Sequence, residues 1–298
     1  MVNIETYDRN TADISKSVLL EVFSLLKEYK ENFVLVGGWA PCFLLEKYKS
    51  EEVEFEHIGS IDIDIALDLK RVPGLDEVYE SIRQKLERNG YGIRRSRDNQ
   101  PVPHSFEKEI QGTVVHVDFL ASEYGGTGKH HRHQKIQDIL AIKARGIDIA
   151  FENNEKFVIE GILPSGAKYK TEIKVSGPIA LLTMKAIAFE RDISRTKDAY
   201  DIYSLLKYYK EGVSSVIAEA KPFLKNKLVM EAVEKLSLLF SVIDSVGNVS
   251  LADFLLPGDA GSEDWEYYRR DSFELVQELL KRFKSGTVGS LKKYAPPP

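Results

Sequence analysis

The sequence predicts an α+β fold, with an α/β half over residues 1–176 followed by an all-helical half over 177–298. Up to about residue 176, short apolar runs of strand character alternate with amphipathic stretches of helical period. From Pro178 onward only the helical period remains. The length of 298 residues is enough for two such regions.

The elements follow in order. "ADISKSVLLEVFSLLKEYKEN" places Ile14, Val18, Leu19, Val22, Phe23 and Leu26 on one side of a helix. "FVLVGG" reads as a buried strand ending in Gly37 and Gly38. "WAPCFLLEKYKS" reads as a helix that tolerates Pro41 in its first turn. "EEVEFEH" is a polar insertion, read as a loop or a short strand, and "SIDIDIALDL" is the next strand. "GLDEVYESIRQKLERNG" is a helix closed by Gly90. "YGIRRS", "HSFEKEI" and "TVVHVDFLAS" are three further strands, and "EYGGTGKHHRHQK" is a polar, glycine-rich loop. "KFVIEGI" and "KYKTEIKVSG" form a strand pair around the turn "PSGA". Helices then cover "PIALLTMKAIAFERD", "TKDAYDIYSLLKYY" (capped by Ser194 or Thr196), "VSSVIAEAKPFL", "KLVMEAVEKLSLLFSVID" and "RDSFELVQELLKRFK".

Hydrophobic residues make up 43% of the chain and charged residues 29%, the balance of an ordinary globular protein. A net charge of −5 excludes a polycation but leaves room for a local basic groove. The single cysteine, Cys42, excludes a disulfide framework and a cysteine-rich zinc site. The first residues lack a signal-peptide pattern, and no apolar run reaches membrane-span length. The expectation is a cytoplasmic protein with no membrane contact.

One stretch carries the chemistry. In "IGSIDIDIALD", Asp62 and Asp64 lie two apart in an apolar run, so a strand would point both to one face. Like charges that close repel, and a divalent cation between them reverses the balance. Asp118 in "VVHVDFL" is a third lone acid in a strand. Three converging carboxylates would suit Mg²⁺ or Mn²⁺. In "LVGGWA", Gly37 and Gly38 would let a phosphate approach the backbone where the following helix presents its free N–H groups.

The order of these parts, with Gly-Gly after a strand, a helix, and then Ser-x-Asp-x-Asp from Ser60 to Asp64, resembles the polymerase-β-like nucleotidyltransferase superfamily. "LLTMKAIAFERDISRTKDAYDIYSLL" is similar to the Lys…Arg…Lys-Asp-x-x-Asp signature of AbiEii-type nucleotidyltransferases, many of them toxins of toxin–antitoxin pairs. The resemblance implies an N-terminal nucleotidyltransferase domain with a mixed β-sheet flanked by helices, and a C-terminal all-helical domain. It implies that Gly37, Gly38 and Ser60 bind the nucleotide, and that Asp62 and Asp64 carry metal. Asp118 would complete the metal site or take the proton from the attacking hydroxyl. Lys185 would neutralise phosphate charge with help from Arg191, while Lys197, Asp198 and Asp201 would shape a cleft between the halves. The segment between Gly38 and Asp62 is longer than the family's usual spacing, and the excess falls at Lys47–His57.

Each residue also has a reading without chemistry. Asp62 and Asp64 could be solvated acids on an edge strand, and Asp118 a strand-end acid paired with an arginine. The Gly-Gly pair could be an ordinary turn. Lys185 could snorkel from its helix. Asp198 and Asp201 could favour a helix dipole, and Lys197 with Asp201 could be an i,i+4 pair. His130, His131 and His133, with Arg132 between them, read better as a basic loop meeting an acidic ligand than as a zinc site. Trp265, Tyr267 and Tyr268 read as packing against a neighbouring helix or as a partner surface.

The leading functional expectation is a Mg²⁺- or Mn²⁺-dependent enzyme that moves a nucleoside monophosphate from an NTP to a hydroxyl. The acceptor would be RNA (a tRNA end is the toxin precedent), a protein side chain or a small molecule, and an antitoxin partner would accompany a toxin role. The alternatives are a non-catalytic nucleotide-binding or interaction module of the same fold, and another Asp-x-Asp metal enzyme such as a phosphatase or glycosyltransferase.

Overall fold

The computed structural model describes residues 3–68, 81–123, 133–136 and 139–292. The chain divides into two compact units. One, the sheet unit, comprises Tyr7–Phe43 and Ile58–Ala180; the other, the helical unit, comprises Met1–Thr6, Leu44–His57 and Leu181–Pro298.

The sheet unit opens with α1 (Arg9–Leu25), whose N-cap Asp8 accepts the Thr11 N–H. The predicted apolar face of α1 is buried throughout, from Ile14 to Leu26. A 3₁₀ turn leads into β1 (Phe33–Val36), and α2 (Trp39–Tyr48) follows the Gly-Gly turn. Then come β2 (Ile63–Leu67), α3 (Ile82–Arg88), β3 (Gly92–Arg95), β4 (Pro101–Ile110), β5 (Thr113–Ser122), β6 (His133–Ile136), β7 (Ile139–Ala144), α4 (Ile147–Glu152), β8 (Asn154–Ile162) and β9 (Lys168–Ser176).

The strands form one mixed sheet in the order β3-β4-β5-β2-β1-β9-β8, with β7 also paired to β5 and β6 to β7. Pairing is parallel for β2 with β5, β1 with β9 and β5 with β7, and antiparallel elsewhere. β5 shows why the sheet sits as it does. Val115, Val117, Phe119 and Ala121 alternate along it and are wholly buried, while His116 and Asp118 lie on the opposite, partly open face. Each large apolar side chain buried in this way contributes about 1.5–3 kcal/mol.

Four sequence expectations change. Asp62 lies in a bend before β2 rather than inside the strand, because the ladder with β1 and β5 begins only at Ile63 and ends at Asp64 on the β1 side. The insertion at 51–57 forms no strand. The helix α6 (Thr196–Tyr208) is not capped by Ser194 or Thr196; its N-cap is Arg195, without a side-chain cap bond. The structure also contains β7, α4 and α9 (Val246–Leu255), elements to which no sequence pattern was assigned, and β6 lies where the polar loop was expected to continue.

Every element described after Ser176 is a helix: α5 (Pro178–Arg191), α6 (Thr196–Tyr208), α7 (Val213–Ala220), α8 (Lys227–Leu239), α9 (Val246–Leu255) and α10 (Glu263–Lys292), with a short 3₁₀ turn after α7, and from Leu181 onward they make up the helical unit. The segment Leu44–His57 belongs to this unit through aromatic contacts. Phe55 stacks on Tyr208 with ring centroids 3.9 Å apart, Tyr48 meets Tyr209 edge-on at 5.6 Å, and the Lys210 N–H donates to the Tyr48 carbonyl at 3.2 Å. No helix among the described residues is long and apolar enough to cross a membrane.

Candidate active site

The sheet register brings two of the three acids together. Asp64 on β2 is level with Asp118 on β5, with Val36 of β1 on one side and Ser105 of β4 on the other. Level residues of paired strands share a face, so Asp64 and Asp118 stand side by side at the partly open surface of the sheet. The chain leaves β1 at Val36 and enters the Gly37-Gly38 turn directly beside Asp64.

Gly37 has φ +68°, a left-handed conformation that favours glycine. A Cβ there would stand 1.9 Å from Asp64 Oδ2. The Asp64 carboxylate therefore occupies the space that any other residue's side chain would take, which ties the turn to the acid. The turn is also fixed from behind. Trp39, the first residue of α2, donates its Nε1–H to Ser15 Oγ at 3.2 Å, and Ser15 donates to the Ile61 carbonyl at 2.8 Å. This relay links α1, the start of α2 and the bend that carries Asp62. Gly38 and Ser60 are both buried within the same loop system. Gly37→Ala is expected to cost roughly 1–3 kcal/mol in urea unfolding, from the left-handed backbone and the displaced carboxylate together. Unchanged stability would show that Asp64 has another rotamer to retreat to.

Asp118 is the strained member of the pair. Among the described residues its Oδ1 is buried without a hydrogen-bond partner, and so is the neighbouring Ser105 hydroxyl. Burial pushes the Asp118 pKa up, the charge of Asp62 adds to this, and Ser105, Arg94 and His116 pull the other way. A carboxylate oxygen short of hydrogen-bond donors, beside a second carboxylate, suits a hard divalent cation. Asp64 and Asp118, both half-buried, offer oxygen donors of the kind Mg²⁺ or Mn²⁺ takes.

Asp62 is placed differently. Its side chain is half exposed, and Oδ1 accepts from His116 Nδ1 at 3.0 Å. The other ring nitrogen of His116 lies 3.8 Å from Glu107 Oε2 on β4. Among the described residues no group of three His, Cys, Asp or Glu side chains is gathered to hold a metal ion. The expected set of three is thus represented by an Asp64–Asp118 pair with Asp62 turned to an imidazole. Sequence reasoning passed over His116, Glu107 and Ser105. The same alternation that singled out Asp118 puts His116 on its face, so the signal was present.

The basic residues and acids of the second motif form a separate cluster within the helical unit. Lys185 Nζ contacts Asp198 Oδ1 at 2.7 Å and Asp201 Oδ2 at 2.6 Å. Lys197 reaches both Asp201 oxygens, at 2.9 and 3.2 Å, and Arg195 Nε donates to Asp198 at 2.6 Å. His57, from the insertion, donates through Nε2 to Asp201 Oδ1 at 3.0 Å. Lys185, Asp198, Asp201 and His57 are all buried. Arg191 ends α5 in an exposed position. Of the histidine loop, His130, His131 and Arg132 lie outside the described residues; His133 begins β6, with Nε2 3.2 Å from His104 Nδ1. Trp265 is buried and donates to Asp253 at 2.8 Å, whereas Tyr267 is exposed.

Comparison with known proteins gives little beyond this geometry. No protein-family model matches the chain, and no curated protein does. Two solved structures are similar. An antigenic nucleotidyltransferase-like protein from Paracoccidioides brasiliensis aligns at 15% identity over 76% of this chain and 88% of that one, with a TM-score of 0.39. A candidate nucleotidyltransferase from H. pylori aligns at 14% identity over 91% of this chain and 97% of that one, with a TM-score of 0.34. At such values neither likeness bears on the chemistry, which rests on the residues.

The helical cluster makes a pH prediction. Burial holds His57 neutral by lowering its pKa from 6.5 to about 4. A group whose folded pKa is depressed contributes stability that is full above the unfolded pKa and lost as pH falls through the folded one. Asp201, held well below the ordinary carboxylate range by Lys185 and Lys197 against the opposing effect of burial, adds a second loss at lower pH. Stability should therefore decline from pH 6.5 towards pH 4 by about 3 kcal/mol from His57 alone. A flat stability profile across that window, measured by urea unfolding of the Asp118→Asn variant, which lacks the opposing titration of Asp118, would contradict the buried neutral imidazole.

Proposed function

We propose that this chain is a nucleotidyltransferase that moves a nucleoside monophosphate from an NTP to a hydroxyl, using Mg²⁺ or Mn²⁺. The observation that supports the reading is the level placement of Asp64 and Asp118, with the Gly37 backbone closed directly over Asp64. Asp64 and Asp118 would hold the cation, joined by Asp62. When bound, that cation neutralises charge on the reacting phosphate and lowers the barrier to in-line displacement. The Gly37-Gly38 turn would present backbone N–H groups to the triphosphate, next to the first turn of α2. Ser60 would line the same loop. As the alternative to ligating the cation, the Asp118 carboxylate would take the proton of the attacking hydroxyl. Because Lys185 and Lys197 are committed to Asp198 and Asp201, we assign these four a scaffolding role within the helical unit.

Three hydroxyl acceptors fit this chemistry: RNA, such as a tRNA end, a protein side chain and a small molecule. A toxin role, with a cytoplasmic location and an antitoxin partner, belongs with the first two. The second reading is a nucleotide-binding module without turnover, and the turning of Asp62 towards His116 favours it. Incubating the full chain with each α-labelled NTP, Mg²⁺ and total RNA or cell lysate separates the two. Transfer of label with release of pyrophosphate supports the enzyme; NTP binding without transfer supports the module.

A further inference from the structure

His116 has no role in the proposed reaction, yet it hydrogen-bonds the Asp62 side chain. The three acids divide unevenly. Asp64 and Asp118 are fixed by strand register, which the β1–β2–β5–β4 ladder enforces on both sides. Asp62 has no such constraint, since it precedes the first ladder residue of β2. Its direction is set by its side chain's partner, and that partner is the His116 Nδ1–H at 3.0 Å. His116 is in turn held in β5, two residues before Asp118, with Glu107 of the adjoining strand 3.8 Å from its far nitrogen. The imidazole therefore stands on a rigid strand between two carboxylates, while the carboxylate it engages lies on a bend.

We infer that His116 is a positioning residue that engages the Asp62 carboxylate, so that a divalent cation at Asp64 and Asp118 completes its carboxylate set only by drawing Asp62 off the imidazole. The inference rests on the nucleotidyltransferase reading of the site. The latch is weak by construction. The Asp62 side chain is 52% exposed, and a half-exposed ion pair or hydrogen bond of this kind is easily exchanged. It sets a threshold for cation binding without closing the site.

The test is Mn²⁺ binding to the full chain, followed by electron paramagnetic resonance and calorimetry, in wild type, His116→Ala, Asp62→Asn and the double variant. Removing His116 removes the competitor, so His116→Ala should bind Mn²⁺ about threefold more tightly, the range set by an exposed pair. The gain should vanish when Asp62→Asn is added, because the released carboxylate is its source. A gain that persists in the double variant overturns the latch, as does unchanged binding. Weaker binding in His116→Ala overturns it too, and makes His116 an orienting partner of a ligating Asp62. If neither wild type nor His116→Ala binds Mn²⁺, with or without NTP, the metal-dependent reading itself fails, a result distinct from equal binding by both. Circular dichroism of each variant guards against loss of fold, and His116→Gln serves as a second variant if alanine unfolds the strand.

Discussion

Lys185→Ala is expected to destabilise the helical unit by about 3–5 kcal/mol, far more than an ordinary surface lysine. Lys185 is 7% exposed and its ammonium bridges Asp198 and Asp201, two carboxylates that are themselves almost fully buried. Its removal leaves two buried negative charges to be carried by Lys197, Arg195 and a neutral His57. The attraction of the two carboxylates outweighs the desolvation of Lys185, so its pKa is raised and the pair stays ionised at neutral pH. The remaining partners place the cost towards the low end of the range. The drop in Tm should be on the order of 10 °C. Lys185→Met, which keeps the stem, should be nearly as damaging, because the loss is one of charge rather than of packing. A variant as stable as wild type would mean that Asp198 and Asp201 can rehydrate or share a proton. If NTP use fell while stability stayed constant, Lys185 would return to phosphate contact, the role implied by its motif.

The difference between motif and structure at Lys185 shows what a sequence conveys and what it does not. Spacing places Lys185 on one helix and Asp198 and Asp201 on the next, but spacing carries no sign for whether the cation meets a ligand or its own acids. The same limit applies to Lys47–His57. As a string it is an excess loop between the glycines and the aspartates. In the fold His57 and Phe55 lie against Asp201 and Tyr208, some 150 positions away in sequence, and nothing local announces that pairing. By contrast, β5 runs over the residues its alternation marks, Thr113–Ser122, because one face is wholly buried and the other is not. The switch at Pro178 was equally plain. β7 and α4 were missed because "ILAIKA" and "IDIAFE" are short apolar runs in which two- and four-residue periods cannot be distinguished. α9 was missed because it buries polar residues. Asn248 is wholly buried, accepts from Ser272 at 2.8 Å and donates to the Val242 carbonyl at 2.9 Å, so a polar position reads as a turn where it is core. Asp62 was placed one residue too far inside its strand, an error with consequences, since a strand residue is fixed by register and a bend residue by its partners.

Asp64→Asn should abolish nucleotidyl transfer, with a loss on the order of 10³-fold in kcat, while leaving the metal-free fold at least as stable as wild type. The two effects have one cause. Asp64 and Asp118 are level on neighbouring strands, and each charge opposes the other in the absence of a cation. Asparagine keeps the shape that fills the space beside Gly37, so the turn is undisturbed, but it removes one of the two charges a cation needs. Asp118→Asn should lose activity in parallel and gain stability more clearly. Burial raises the Asp118 pKa above its ordinary 3.8, so the native state of the metal-free protein is penalised as pH rises through the unfolded and then the folded value. The wild-type protein should therefore lose stability over that rise, and Asp118→Asn should not. An unpartnered buried oxygen of this kind costs about 1–3 kcal/mol, which bounds the gain. Mg²⁺ should reverse the order, stabilising wild type by mass action and leaving both asparagine variants unmoved. Thermal melts of the three proteins, with and without Mg²⁺, read all of this at once. Asparagine variants that are inactive and less stable than wild type without metal would make Asp64 and Asp118 structural acids, and the nucleotidyltransferase reading would lose the pair on which it stands.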